Sequence, residues 1–115
     1  MASSPITVTN DPIRSEFAND PDMAEIVSMF VSEMPEKIAN LNKTFQAMQF
    51  DELRRLAHQI KGSSGGYGFS ELGKAAGRLE HLLVTHGEGG GDGDPVANIR
   101  REFEQLIALC KRVTA

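Results

Sequence analysis

The sequence has almost no cysteine and no long apolar stretch. Cys110 is the sole cysteine of the 115 residues, so no disulfide can form within the chain, and a cysteine-based zinc site is not expected. No apolar run approaches the ~20 residues that span a bilayer, and the N-terminus lacks the apolar core of a signal peptide. We therefore expect a cytoplasmic protein that neither crosses nor binds a membrane.

Basic residues are also fewer than acidic residues. The chain has 12 Lys and Arg against 16 Asp and Glu, a net charge of -4. An acidic chain has no general electrostatic reason to bind nucleic acid or an anionic membrane. No segment of useful length alternates with period two, so the sequence gives no case for a sheet. These absences favour one all-α domain.

Acid–proline pairs and isolated polar residues mark the expected helix starts. Asp is a good N-cap, and Pro suits the first helical position, where its missing N–H is not needed. The predicted starts are Asp11-Pro12, Asp20-Pro21, Asp51, Ser70 and Asp94-Pro95.

Apolar residues recur at steps of three and four through most of the chain. The first stripe consists of Met23, Ile26, Val27, Phe30, Met34, Ile38, Leu41, Phe45 and Met48. It keeps its phase across Pro35, so we expect a kink there rather than a break. Three more stripes follow, and the last includes Cys110, which we expect to be a buried apolar residue. The pattern predicts an antiparallel up-down four-helix bundle over residues 11–115, with a short extra helix around 12–18. Residues 1–10 and the loop 87–94, "GEGGGDGD", are expected to be flexible.

The segment 57–69, "AHQIKGSSGGYGF", places glycines and basic residues around one histidine. At about 100° per residue, His58 lies opposite the apolar stripe of its helix and faces solvent. The residues on its own side are Arg54, Arg55, Lys61, Gly62 and Gly65. Each glycine in a helix interior costs about 1 kcal/mol relative to Ala, but bare backbone gives a partner room to approach. A neutral imidazole can accept a phosphoryl group, and the basic residues would stabilise the resulting anion.

The run "AHQIKGSSGGYGFSELGKAAGRLE" resembles a histidine-containing phosphotransfer domain, the HPt family of two-component signalling. The matching residues are His58, Lys61, Gly62, Ser63, Ser64, Gly68, Leu72, Leu79 and Glu80. The resemblance covers roughly residues 20–113. The chain departs from the family pattern in its unusually Gly-rich run "GGYG", which follows "KGSS".

The resemblance implies a phosphoryl carrier rather than a self-sufficient enzyme. His58 would accept the group, on Nε2, from a receiver-domain aspartyl phosphate and pass it to another receiver. Lys61 and Gln59 would orient the group or balance its charge. Arg54, Arg55, Gly62 and Gly65 would form the docking surface for receiver domains of response regulators or hybrid kinases. No cofactor or metal is expected on this chain, because the Mg²⁺ would belong to the receiver. We also expect a monomer.

Other functions fit the residues less well. A helical adaptor could bind receiver or kinase domains without phosphotransfer, and the presence of His58 favours the carrier. The phosphoacceptor element of a sensor kinase usually has an acid directly after its histidine, whereas Gln59 occupies that position. A hydrolase would need a nucleophile, but Ser63 and Ser64 are predicted on the core side of the helix. His81 and His86 are five residues apart and lack the spacing of a metal site.

Overall fold

The computed structural model describes residues 11–86 and 95–114. The helices among them are α1 (Ala24–Ser32), α2 (Met34–Gln46), α3 (Phe50–Ser64), α4 (Ser70–His86) and α5 (Pro95–Cys110). A 3-10 turn, Gly65–Tyr67, follows α3. Two short strands, β1 (Ile13–Arg14) and β2 (Val113–Thr114), pair in parallel. The predictions of flexibility for residues 1–10 and 87–94 concern residues outside those described.

Helices α2 to α5 form the bundle. Helix α3 packs against α4, α4 packs against α5, and α2 contacts both α3 and α5. Helices α3 and α4 are antiparallel, since His58 lies beside Glu80 and the later residue Ser64 lies beside the earlier residue Gly73. The prediction of an all-α helical bundle is confirmed.

The core lies between the apolar stripes of these helices. Leu53, Leu79 and Leu106 are fully buried, and the rings of Phe45 and Phe103 stack with centroids 4.4 Å apart. Cys110 is buried as predicted, and burial raises the pKa of its thiol to about 12. The thiol therefore stays protonated at neutral pH and packs as a small apolar group.

The predicted helix around 12–18 is wrong. Residues 13–14 form β1, which pairs with β2, and residues 16–19 form turns. The N–H of Ile13 donates to the carbonyl of Arg112 at 2.7 Å, so its partner comes from the far end of the chain. Sequence periodicity reports only local partners and cannot show this pairing. The short helix that precedes the bundle is α1, about ten residues later.

The predicted kink at Pro35 is a division between two helices. Helix α1 ends at Ser32, Glu33 lies between, and α2 begins at Met34 with Pro35 in its first turn. Proline has no N–H to donate to the carbonyl of Val31, and its ring crowds that carbonyl. The apolar stripe continues across Pro35 because only one residue separates the two helices.

The helix starts agree only partly with the predictions. Pro95 is the first residue of α5, and Ser70 is the first residue of α4. Asp20 stabilises a turn instead of a helix, since its Oδ1 accepts the N–H of Asp22 at 2.9 Å. Asp51 lies in the first turn of α3 rather than before it. An acid in the first turn still interacts favourably with the positive end of the helix.

Two members of the first predicted stripe are exposed. Ile26 is 42% exposed, because α1 buries the side of the helix that carries Val27 and Phe30. Met48 lies beyond the end of α2 with a left-handed backbone, φ 58°. This conformation turns the chain into α3 and leaves the Met48 side chain outside the core.

Candidate functional site

His58 lies on the outer face of α3, as predicted. The helix buries Leu53, Ala57 and Ile60 on the opposite side, and this fixes the direction in which His58 points. The His58 side chain is 64% exposed. An incoming group can therefore reach the ring from solvent.

Glu80 of α4 holds the histidine ring. Its Oε2 lies 2.7 Å from Nδ1 of His58, and its Oε1 lies 2.9 Å from Nζ of Lys61. The Glu80 side chain is only 14% exposed, whereas its two partners are largely in solvent. One mostly buried carboxylate thus joins the two predicted functional residues of α3. Glu80 belongs to the HPt-like sequence pattern, but the pattern by itself does not predict its contact with His58 and Lys61.

The partners of Glu80 also keep its carboxylate ionised. The hydrogen bond from Lys61 lowers the pKa of Glu80 the most. Burial acts in the opposite direction, and the hydrogen bond with His58 lowers the pKa further. An ionised carboxylate only accepts hydrogen bonds. The Nδ1 of His58 must then carry the proton in this contact, which leaves the lone pair of the neutral ring on Nε2.

The glycines beside His58 are not required by packing. A Cβ atom built on Gly62 or on Gly65 would meet no atom within 4 Å. Close helix–helix packing, the ordinary reason for a glycine in a helix, therefore does not explain either residue. Both positions leave bare backbone facing solvent beside the histidine, as the sequence predicted.

The side chain of Lys61 passes over Gly77 on its way to Glu80. A Cβ atom at Gly77 would lie 3.3 Å from Cδ of Lys61, so the lysine stem rests on the bare backbone of α4. Lys61 is half-exposed and its amine remains close to the ring of His58 through their shared carboxylate. Its position fits the predicted charge-balancing role, which stays a prediction.

Gln59 lies on the other side of His58. It lines a groove between α2 and α3 together with Lys37, Asn40 and Ser63. Glu80 contacts His58 from the α4 side and also binds Lys61, and Gln59 is not part of this hydrogen-bonded group. The contact between Gln59 and a phosphoryl group stays a prediction.

The two predicted arginines differ in their surroundings. Arg55 pairs with Glu52 one turn earlier, with Nε 3.0 Å from Oε1, so an adjacent carboxylate partly offsets its charge. The hydrogen bond raises the pKa of Arg55 and lowers the pKa of Glu52. Arg54 is exposed, and no acidic partner for it is found within residues 11–86 and 95–114. Arg54 is therefore the more available cation for a docking partner.

Two histidines are exposed in the described part of the chain, His58 and His81. Of these two histidines, only His58 contacts a carboxylate among the described residues. No group of three or more His, Cys, Asp or Glu side chains in residues 11–86 and 95–114 could hold a metal ion. In the same residues, no helix is long and apolar enough to cross a membrane.

The family model for the Hpt domain matches residues 25–109, which is most of the chain. The chain belongs to the Hpt-domain family. Histidine phosphotransfer in two-component signalling is the role of Hpt domains, which are phosphocarriers and interact with receiver or kinase domains of those systems. No curated protein matches the chain, and neither does any solved structure.

The match includes every predicted site residue, from Arg54 to Gly65, and also Glu80. It supports the recognition made from the sequence pattern. The individual roles of the side chains around His58 go beyond the match and belong to the proposal below.

Proposed function

We propose that this Hpt domain carries a phosphoryl group on His58, which receives it from an aspartyl phosphate of one receiver domain and gives it to the Asp of another. The arrangement of the His58 ring supports this most directly. Glu80 engages Nδ1 at 2.7 Å, and the exposed ring presents Nε2 to solvent. A neutral imidazole with a fixed tautomer can attack without a base to remove a proton from the attacking atom.

The transfer balances without loss of a proton. The Nε2 lone pair attacks phosphorus, a bond forms between nitrogen and phosphorus, and the bond to the aspartyl oxygen breaks. The aspartate leaves with the electron pair. The ring keeps its Nδ1 proton and becomes positive, and the carboxylate of Glu80 offsets that charge. In the second transfer a carboxylate oxygen attacks phosphorus, and the electron pair of the N–P bond returns to Nε2.

Lys61 and Gln59 would act on the phosphoryl oxygens from opposite sides of the ring. The Lys61 amine has three donors, so it can keep its contact with Glu80 and still donate to a phosphoryl oxygen. Gln59 can donate from the side of α2. Neither residue supplies a proton to the reaction.

The open backbone at Gly62 and Gly65 would admit the receiver, with Arg54 and the Arg55–Glu52 pair at the edge of the contact. The transfer needs Mg²⁺, which we assign to the acidic site of the receiver. This chain would supply no cofactor of its own. A monomeric state and a cytoplasmic location remain predictions.

Labelling with phosphoramidate tests the acceptor directly. The protein is incubated with this small donor, its intact mass is measured and the labelled residue is mapped, with His58→Gln in parallel. His81 is the matched control, because it is also exposed but has no described carboxylate contact. We expect one acid-labile phosphoryl group on His58, none on the variant, and transfer from the labelled protein to an unlabelled receiver domain.

Equal labelling of His58 and His81 would contradict the proposal, because the Glu80 contact would then give His58 no advantage. Specific binding of receiver domains with no labelling of His58 would favour the adaptor function instead. Labelling of His58 without onward transfer to any receiver tested would contradict the carrier role.

A further inference from the structure

A groove of about 640 Å³ runs between α4 and α5. Its charged and polar lining consists of Lys74, Arg78, His81, Asn98, Arg101 and Glu102. Gly77 and Leu82 complete the lining with backbone and apolar surface. Phosphotransfer on His58 uses none of these side chains.

The groove carries more positive than negative charge. Glu102 is the one acid among its lining residues, and its Oε1 already pairs with Nε of Arg78 at 3.1 Å. Arg101 contacts the neutral Oδ1 of Asn98 at 3.2 Å, so no carboxylate offsets its charge in that contact. Lys74 lies 3.7 Å from Glu71, and both side chains are well exposed. A chain with a net charge of -4 thus gathers cations along one groove.

The same surface is partly apolar. Leu82 is only partly buried, and Gly77 has no side chain to fill the space above it. Val84 is 51% exposed and follows Gly77 and His81 at helical spacing, so it lies on the same face of α4. Apolar surface between cationic edges suits a partner that is apolar on one side and acidic along its flanks.

We propose that this groove binds an acidic amphipathic helix of a partner protein. From Lys74 to Leu82 the groove extends eight residues along α4, about 12 Å, which matches roughly two turns of a helix. The apolar side of that helix would cover Leu82 and Gly77, and its Asp and Glu side chains would pair with Lys74 and Arg101. The binding does not depend on the chemistry of His58.

The groove also borders the candidate phosphoacceptor site. Gly77 lines it and supports the stem of Lys61, whose amine contacts Glu80. A helix seated there would lie beside the His58 surface without covering the bare backbone at Gly62. A partner could therefore hold this domain in place while a receiver domain reaches His58.

Two designed peptides of about 16 residues test the proposal. One carries Leu at helical spacing with Glu at the remaining positions, and the other has Lys in place of every Glu. The isotope-labelled protein is titrated with each peptide, and amide shifts locate the contact. We expect the Glu peptide to shift residues 74–82 and 98–102, and its affinity to fall as salt rises from about 0.05 M to about 0.5 M.

Charge reversal identifies the groove as the site. Arg101→Glu and Lys74→Glu are each expected to weaken the Glu peptide roughly fivefold. Lys43→Glu makes the same charge change at an exposed position of α2, outside the groove, and is expected to leave the affinity unchanged. Circular dichroism of each variant confirms that the helices remain.

Several results would overturn the proposal. They are absence of Glu-peptide binding, equal binding of the Lys peptide, equal weakening by Lys43→Glu, and amide shifts confined to other surfaces. Inorganic phosphate that shifts the same residues and loses its effect in Arg101→Glu would assign the groove to a small anion. Self-association in light scattering, with shifts at the groove, would assign it to a second copy of this chain.

Discussion

The carboxylate of Glu80 bonds to two side chains of α3, and its removal is the sharpest test of the site at the scale of one residue. Glu80→Gln keeps the shape but removes the charge that offsets a positive ring and orders Lys61. A charge-assisted hydrogen bond contributes about 1.5–3 kcal/mol, so phosphorylation of His58 should slow roughly tenfold or more. Rates of phosphoramidate labelling, measured by intact mass, check this.

Glu71→Gln is the matched control, since Glu71 lies on the same helix but pairs only with exposed Lys74 at 3.7 Å. It should label at the rate of the unchanged protein. If Glu80→Gln did so as well, Glu80 would have no part in positioning the ring.

Glu80 also gives a pH dependence of stability. Its pKa is lower in the folded chain, chiefly because of Lys61, so ionised Glu80 favours folding. That contribution is complete above the unfolded value of about 4.3 and is lost as pH falls through the lower folded value. Urea midpoints of the protein and Glu80→Gln should therefore differ at pH 7 and converge under acid conditions. A difference that grows on acidification would contradict the assignment.

At the scale of an element, we expect the glycines on the outer face of α3 to leave room for the receiver, although they make the helix less stable. Gly62→Ala meets no atom within 4 Å, so it should stabilise the helix by about 1 kcal/mol. Gly62→Leu should block transfer from a receiver, because its side chain would fill the space that the partner needs, while labelling by small phosphoramidate persists. The two labelling rates, from receiver and from phosphoramidate, check this prediction.

Ala97→Leu adds similar bulk to an exposed position of α5 and should leave both rates unchanged. If Gly62→Leu were labelled by the receiver at the rate of the unchanged protein, the receiver would not approach this face of α3.

The turn after α3 depends on Gly68. Its backbone is left-handed, φ 85°, and a Cβ there would lie 2.9 Å from the backbone nitrogen of Glu16 and also clash with the hydroxyl of Ser15. That hydroxyl donates to the carbonyl of Tyr67 at 2.6 Å, so the N-terminal segment is bonded to this turn. Gly68→Ala should cost roughly 2 kcal/mol or more, as measured by urea denaturation.

Gly66→Ala is the control for that substitution, because its Cβ meets no atom within 4 Å and its φ is not positive. It should be neutral or stabilise by up to about 1 kcal/mol. Equal midpoints for the two variants would mean that the turn tolerates a Cβ at residue 68.

At the scale of the whole molecule, stability rests on the core that joins all four bundle helices. Phe103 is 4% exposed and stacks on Phe45, so it links α5 to α2. Phe103→Ala should cost about 3–5 kcal/mol, a large part of the 5–15 kcal/mol typical of a domain. The urea midpoint should fall sharply, whereas Glu104→Ala, at the exposed neighbouring position, should change it little. Similar midpoints would show that the Phe45–Phe103 contact adds little to the fold.

The sequence by itself determined the class of fold and the face of α3 that carries His58. Apolar spacing is a local property, and with one residue every 100° it shows which side of a helix is buried. The same spacing predicted the exposure of Arg54, Lys61 and Gly62 correctly. It also predicted a buried Cys110, since this residue continues the apolar stripe of α5.

The tertiary structure alone decided which residues from distant parts of the chain meet. Glu80 contacts His58 across 22 positions, and β1 pairs with β2 across the whole domain, where a local reading predicted a helix. The separation of Gln59 from Lys61 and the groove between α4 and α5 likewise depend on helix packing. These contacts are set by how helices pack against one another, and helical periodicity carries no information about the neighbour that each face will meet.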